Sequence, residues 1–266
     1  LILWTIFGVE LMFGDYVSGT KFSGMPSKAV SFGLHRLSRL RLVEPEIQGL
    51  KRVVGPGDIC FDIGAAYGMY SFPLAELVGK QGAVYSFEPQ KKPHRIFSSL
   101  AGVIRNRNMS ITRGAVGETS GRNTVAVPVR FGLPIHGHAH ILDSELSRSG
   151  TQDSGSFRTV DADTFSVDET CEKMGIQRVD FMKIDVEGYE PSVLAGAEKT
   201  LKRFMPSLLM EIEKRHLDKY GVDPEKFVRQ LLEQGYDMYF WHGGNWRSAD
   251  TLIDGVRNYL FVLRKR

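Results

Sequence analysis

From residue 59 onward, short apolar runs alternate with longer amphipathic stretches, and glycine, proline or charged turns mark most of the switches between them. Runs at 59–63, 83–87, 109–113, 180–186 and 207–212 read as strands, with helices expected over 70–78, 91–105, 190–203 and 224–234. Strands separated by helices of that length pair in parallel through crossovers, so the rhythm predicts an α/β, mostly parallel, doubly wound sheet of the Rossmann-like kind. Two further runs, at 236–241 and 257–263, lie either side of the turn region His242-Gly243-Gly244-Asn245 and are expected to form an antiparallel edge.

The chain of 266 residues, 42% of them hydrophobic, suffices for one well-buried domain with an appendage. Residues 54–266 are expected to be that domain. Residues 1–53 read as an apolar segment, a Gly/Ser-rich link and a helix over 27–53 with Leu34, Leu37, Leu40, Ile47 and Leu50 in a stripe. The opening stretch, LILWTIFGVELMF, is too short to span a bilayer and has no basic leader. It reads as a packing or dimerisation segment, with contact to a membrane the less favoured use. Net charge is +3 with acids and bases interspersed, so no nucleic-acid partner is expected. Two cysteines, Cys60 and Cys171, make neither a disulfide framework nor a zinc site, which fits a reducing, cytoplasmic setting.

The alternation breaks once. Residues 117–160 are rich in Gly, Ser, His and Asp and carry only short β-like runs, at 124–129 and 157–160. An insertion there lies near the carboxyl ends of the strands, where open α/β sheets bind ligands, and it reads as a flap over a substrate, a solvated loop without a role being the alternative.

The first strand runs into Asp62-Ile63-Gly64-Ala65-Ala66-Tyr67-Gly68. Gly64 and Gly68 supply backbone freedom, and Ala65 and Ala66 keep the loop small where a helix start approaches a ligand. The second strand ends in Ser86-Phe87-Glu88-Pro89, with Glu88 26 positions beyond Asp62. An acid at that tip is placed to accept the ribose hydroxyls of an adenosine ligand, whether NAD or S-adenosylmethionine. Asp62 favours S-adenosylmethionine: a carboxylate there suits its amino group and is badly placed beside a pyrophosphate.

The segment 178–188, RVDFMKIDVEG, is the most informative. Alternation puts Phe181, Lys183, Asp185 and Glu187 on one face of the expected strand. Charges entering a central strand carry a desolvation cost unless they pair or border a wet cleft. Asp185 is therefore expected at the mouth of the cleft, with Lys183 behind it and Glu187 near the substrate; a mutually satisfied network that only staples the sheet is the alternative.

These residues resemble the FkbM-type methyltransferases. The resemblance covers roughly residues 44–240 and rests on Gly57-Asp58 leading into FDIGAAYGMYS (61–71), YSFEPQ (85–90), AVGE (115–118), VDFMKIDVEGYEPSVLAGAEKTL (179–201) and PSLLMEIE (206–213). It implies a class I methyltransferase fold and O-methylation of sugars, polyketide-type products or related hydroxylated metabolites, with S-adenosylmethionine as cofactor. It implies that Asp62, Gly64, Gly68 and Ser71 line the methionine end and Glu88 the ribose. Ala115 and Val116 would border the adenine, and Asp185 would sit near the sulfonium and the acceptor. The family usually has Asn where this chain has Ala66.

Methyl transfer to an alcohol needs alignment and a base. His136, His138 and His140 alternate in the flap; His138 and His140 are candidate bases, or parts of a polar turn. No further ligands cluster with them, so no metal is expected. His94 and His216 read as solvated helix residues. Glu211 either faces the substrate or pairs with Lys183 or Arg215. The function expected is a small-molecule O-methyltransferase, possible as a homodimer; the alternative is a catalytically lapsed Rossmann-like binding protein.

Overall fold

Asp58 closes the turn ahead of the sheet, its carboxylate accepting from Gly55 N at 2.8 Å, and Gly57 takes the positive φ of 88° that the turn requires. Strand β1 (Ile59–Ile63) follows. The computed structural model describes residues 44–104, 107–130, 133–134, 140–141 and 156–264, together with Gly33. Most of the segment ahead of residue 44, with His136 and His138, lies outside them. Of the helix expected over 27–53, Gly33 is α-helical and Pro45–Arg52 is a 3-10 helix, which begins at a proline that has no N–H to satisfy.

Helix α1 (Ser71–Val78), β2 (Ala83–Phe87), α2 (Lys91–Ile104) and β3 (Met109–Thr112) continue the chain, and β1–β2–β3 pair in parallel. The insertion is a second sheet made of β4 (Ala115–Val116), β5 (Gly121–Arg130), β6 (Leu133–Pro134), β7 (His140–Ile141) and β8 (Ser156–Phe165). Its backbone is more regular than its composition suggests. β5 and β8 run antiparallel from Gly121↔Thr164 to Val129↔Ser156, well past the short runs expected.

After α3 (Val167–Met174), the central sheet resumes with β9 (Phe181–Ile184), which pairs in parallel with the other flank of β1. Helices α4 (Glu190–Ala195) and α5 (Glu198–Phe204) replace the single helix expected over 190–203. The break at Gly196 has a packing reason: its carbonyl accepts from Asp168 N at 2.9 Å, and a Cβ there would lie 2.1 Å from the Gly117 carbonyl. β10 (Ser207–Glu211), α6 (Lys214–Leu217), α7 (Pro224–Glu233), β11 (Tyr236–His242), β12 (Asn245–Ala249) and β13 (Asn258–Leu263) complete the order.

The eight-stranded order is β12-β11-β13-β10-β9-β1-β2-β3. The expected antiparallel edge is present but built differently. The turn at Gly243 and Gly244 joins β11 to β12, a strand the sequence reading did not find, and β13 inserts antiparallel between β10 and β11. One sheet face buries Phe61, Met182, Ile184, Leu208 and Met210 against Val167, Leu201 and Val228 from the helices. The other buries Cys60, Phe181 and Leu209 against Ile47, Leu50, Leu74 and Val78. Strand order reverses between β1 and β9, which places a ligand crevice at their carboxyl ends. Among the described residues no helix is long and apolar enough to cross a membrane.

Candidate active site

The crevice floor is assembled from three strand ends. On β1, Asp62 is 2% exposed, accepts a hydrogen bond from Ser71 Oγ, and shares its face with Ser86, whose hydroxyl lies 2.8 Å from Ser71 Oγ. Burial, only partly offset by Ser71 and Lys183, raises the Asp62 carboxyl to about 6. Ser71 is fully buried, so it orients Asp62 from beneath.

The chain then turns tightly. Gly64 N and Ala65 N both donate to the Phe87 carbonyl, at 3.1 and 2.9 Å, and Gly68 N donates to Ala65 O at 2.7 Å. Gly64 has φ 84°, and a Cβ on it would stand 1.9 Å from the Asp185 carbonyl oxygen. Only glycine permits that approach, which brings the loop onto the end of β9. Gly68, at φ 86°, meets the Phe97 ring in the same way. Ala66 holds a left-handed φ of 46°.

Glu88, at the tip of β2, is 3% exposed. Its two oxygens accept from Ala66 N at 2.9 Å and Gln90 N at 2.7 Å, so it braces the loop as well as facing the crevice. Burial, opposed by those two hydrogen bonds, raises its carboxyl to about 7. Pro89 follows, half-buried. Gly114 N donates to Glu88 O at 3.2 Å, which sets buried Ala115 and Val116 beside it.

β9 delivers the third group. Lys183, 1% exposed, donates to Asp185 Oδ2 at 3.1 Å and to Asn258 Oδ1 at 3.3 Å, and its ammonium stands 5.1 Å from the Tyr70 ring centre. Burial opposes its charge, but Asp185, Glu44 and Glu211 outweigh that and hold the ammonium above its usual range. Lys183 thus lies behind Asp185, whose side chain is partly open at the rim.

The expected alternation ends sooner than residue 187. Asp185 N still donates to Ile63 O at 3.0 Å, but Glu187 adopts φ 57° and Gly188 φ 103°, so the strand gives way to a turn. Glu190, which sequence reading passed over, pins this turn by accepting from Val186 N and Gly188 N at 3.1 and 3.2 Å. The turn swings Glu187 away from Asp185 and onto His216, whose Nε2 is 2.9 Å from Glu187 Oε2. His216 is therefore not a solvated helix residue: it is 6% exposed, between Glu187 and Glu211. Glu211 pairs with His216 and, at 3.7 Å, with Arg257 rather than with Lys183 or Arg215. Among the described residues, Glu187, Glu211 and His216 bring one donor atom each to within 4.8 Å of one another, the arrangement nearest to a metal ligand set.

Asp62, Gly64, Ala65, Ala66, Glu88 and Asp185 therefore cluster where β1, β2 and β9 end, the side on which open α/β sheets hold ligands, while Gly68 packs against Phe97. His140 begins β7 of the second sheet, its side chain lying outside what the structure describes. His94 is half-buried on α2. A depression of about 410 Å³ lined by Gly57, Ile59, Tyr85 and Arg178 lies at the opposite, amino-terminal rim.

The model of the Methyltransferase FkbM domain matches residues 62–238. The Hexuronic acid methyltransferase AglP of Haloferax volcanii is 25% identical over 199 residues, covering 74% of this chain and 71% of that protein. The crystal structure of a methyltransferase FkbM from Methylobacillus flagellatus superposes with a TM-score of 0.46 and 14% identity, covering 79% of this chain. This chain spans about half, 48%, of that one. A Streptococcus mutans protein crystallised with SAH gives 0.45 and 11%, over 82% of this chain and 95% of that one. With a family model spanning the glycine turn, the acidic strand tips and the β9–β10 pair, the chain belongs to the FkbM family of S-adenosylmethionine-dependent methyltransferases.

Proposed function

We propose that the protein transfers the methyl group of S-adenosylmethionine to an oxygen of a hydroxylated small molecule, a sugar or sugar acid being the favoured class. The observation that carries this is the acidic crevice: Asp62, Glu88 and Asp185 surround a glycine turn pressed onto the end of β9. S-adenosylmethionine brings a sulfonium and an ammonium, and buried carboxylates beside them recover electrostatic energy that is lost while they face each other. Glu88 keeps lone pairs free beyond its two backbone bonds, which suits ribose hydroxyls. Ala115 and Val116 give an apolar border for the adenine, and Asp185 stands where sulfonium and acceptor would meet. The named substrate of the Haloferax relative supports a sugar acid. The second sheet follows β3 in the chain, and its Phe165 ring stands 5.8 Å from Phe87 at the end of β2, which supports a substrate-covering role.

The reaction is an in-line displacement, for which the protein supplies alignment and a place for the acceptor's proton. Incubation with methyl-labelled S-adenosylmethionine and a panel of hexuronic acids and their glycosides tests the reading. Labelled, base-stable ether product is expected. Label confined to water-soluble breakdown products, or carried only on protein or nucleic acid, would overturn it.

A further inference from the structure

We propose that Glu211 is the carboxylate that takes the acceptor's hydroxyl proton, and that His216, anchored by Glu187, is the positioning residue that governs it. This rests on the methyltransferase reading above. The carboxyl ends of β9 and β10 are adjacent parallel strand ends, so Glu211 emerges on the same rim as Asp185. His216 Nε2 is engaged by Glu187 at 2.9 Å. Its Nδ1, buried and without a hydrogen-bond partner, faces Glu211 Oε2 across 3.7 Å. An oxygen at about 2.8 Å from each atom bridges such a gap, which is ordinary hydrogen-bond distance. Glu187 reaches the imidazole only through its left-handed backbone at φ 57°, a conformation a Glu seldom adopts without compensation.

The geometry favours proton handling over metal binding. The two ring nitrogens address different carboxylates, Nε2 facing Glu187 at 2.9 Å and Nδ1 facing Glu211 at 3.7 Å, so the shortest contacts run through the ring rather than to one shared point, and a metal held by the same cluster is an outcome of the test below. The charged groups around the pair are Lys183 from β9, Asp185 just past its end, Glu187 from the turn, Glu213 and Arg215 around α6, and Arg257 ahead of β13. Burial and the Asp185 charge raise Glu211 to about 8. Burial lowers His216, but its two carboxylates outweigh that and raise it to about 9. The pair thus holds protons near neutral pH, and the sulfonium of the bound donor expels one of them, which leaves Glu211 ionised to receive the acceptor's proton. In the step itself, an acceptor lone pair forms the C–O bond as the C–S pair returns to sulfur. The hydroxyl proton passes to Glu211 and then to solvent.

Binding calorimetry in buffers of different ionisation enthalpy tests this without an acceptor. Sinefungin carries an ammonium where the transferable methyl sits, and S-adenosylhomocysteine is neutral there. At pH 8, sinefungin should release roughly half a proton more than S-adenosylhomocysteine, because a cation beside the pair expels its proton. In Glu211→Gln the excess should vanish while both ligands still bind, and in His216→Gln its midpoint should move to higher pH. Equal proton release by the two ligands in the wild-type protein overturns the proposal, even if a variant fails to fold. So does stoichiometric Mn²⁺ binding lost in His216→Gln, which would make the cluster a metal site. Failure of both ligands to bind would instead overturn the methyltransferase reading.

Discussion

Ala66 sits at φ 46° while its N–H is held by Glu88. Left-handed backbone costs a residue with a Cβ roughly 1–2 kcal/mol, and Asn is among the few that visit it readily. Ala66→Asn, which installs the residue usual in the family, should therefore stabilise the protein by about 0.5–1 kcal/mol, read from the urea midpoint at constant slope. A lower midpoint would mean that the turn has no room for the amide. Glu88 braces the same turn, so Glu88→Ala frees two backbone donors and removes the carboxylate proposed to accept the ribose hydroxyls. It should weaken S-adenosylhomocysteine binding by about 2–3 kcal/mol in calorimetry; unchanged affinity would remove Glu88 from the site. The places of Asp62 and Glu88 were legible because one acid falls near the end of an apolar strand and the other just past one. His216 was not: its partners, Glu187 and Glu211, come from other elements, and its sequence neighbours Lys214 and Arg215 are exposed.

Where elements end is decided by contacts that local patterning does not carry. Residues 185–187 alternate as a strand would, yet β9 stops at Ile184 because Gly64 and Glu190 claim the backbone beyond it. The parallel order was readable from apolar runs and helix lengths, whereas β12, with mostly exposed side chains, offered little apolar signal. Likewise the helical pattern over 190–203 does not reveal that the Gly117 carbonyl needs room at Gly196. Gly196→Ala should push the start of the second sheet off the helix pair, at a cost of about 1–3 kcal/mol. Hydrogen exchange should then quicken in β4 and β8 before it does in β1 or β9. Uniform quickening would show that the two sheets do not separate at this contact.

Among the described residues, buried carboxyls outnumber the buried cations that face them. Burial raises Glu46, Glu88 and Glu190 to about 7, Asp62 to about 6 and Glu211 to about 8. The folded state keeps protons that the unfolded chain releases near its ordinary carboxyl values, so stability falls as pH rises from about 4.5 to 8. His216, raised to about 9, adds stability that is full below 6.5 and lost toward 9, in the same direction. One pKa unit is about 1.4 kcal/mol, so the ligand-free protein should melt several degrees lower at pH 8.5 than at pH 5.5. A flat profile would mean that the carboxyls are solvated. If the acidic strand ends are built for the methyl donor, titration calorimetry at pH 8 will find one S-adenosylhomocysteine bound per chain, binding lost or greatly weakened in Asp62→Asn, and no uptake of NAD. Uptake of NAD without S-adenosylhomocysteine would mean that the site serves a dinucleotide instead.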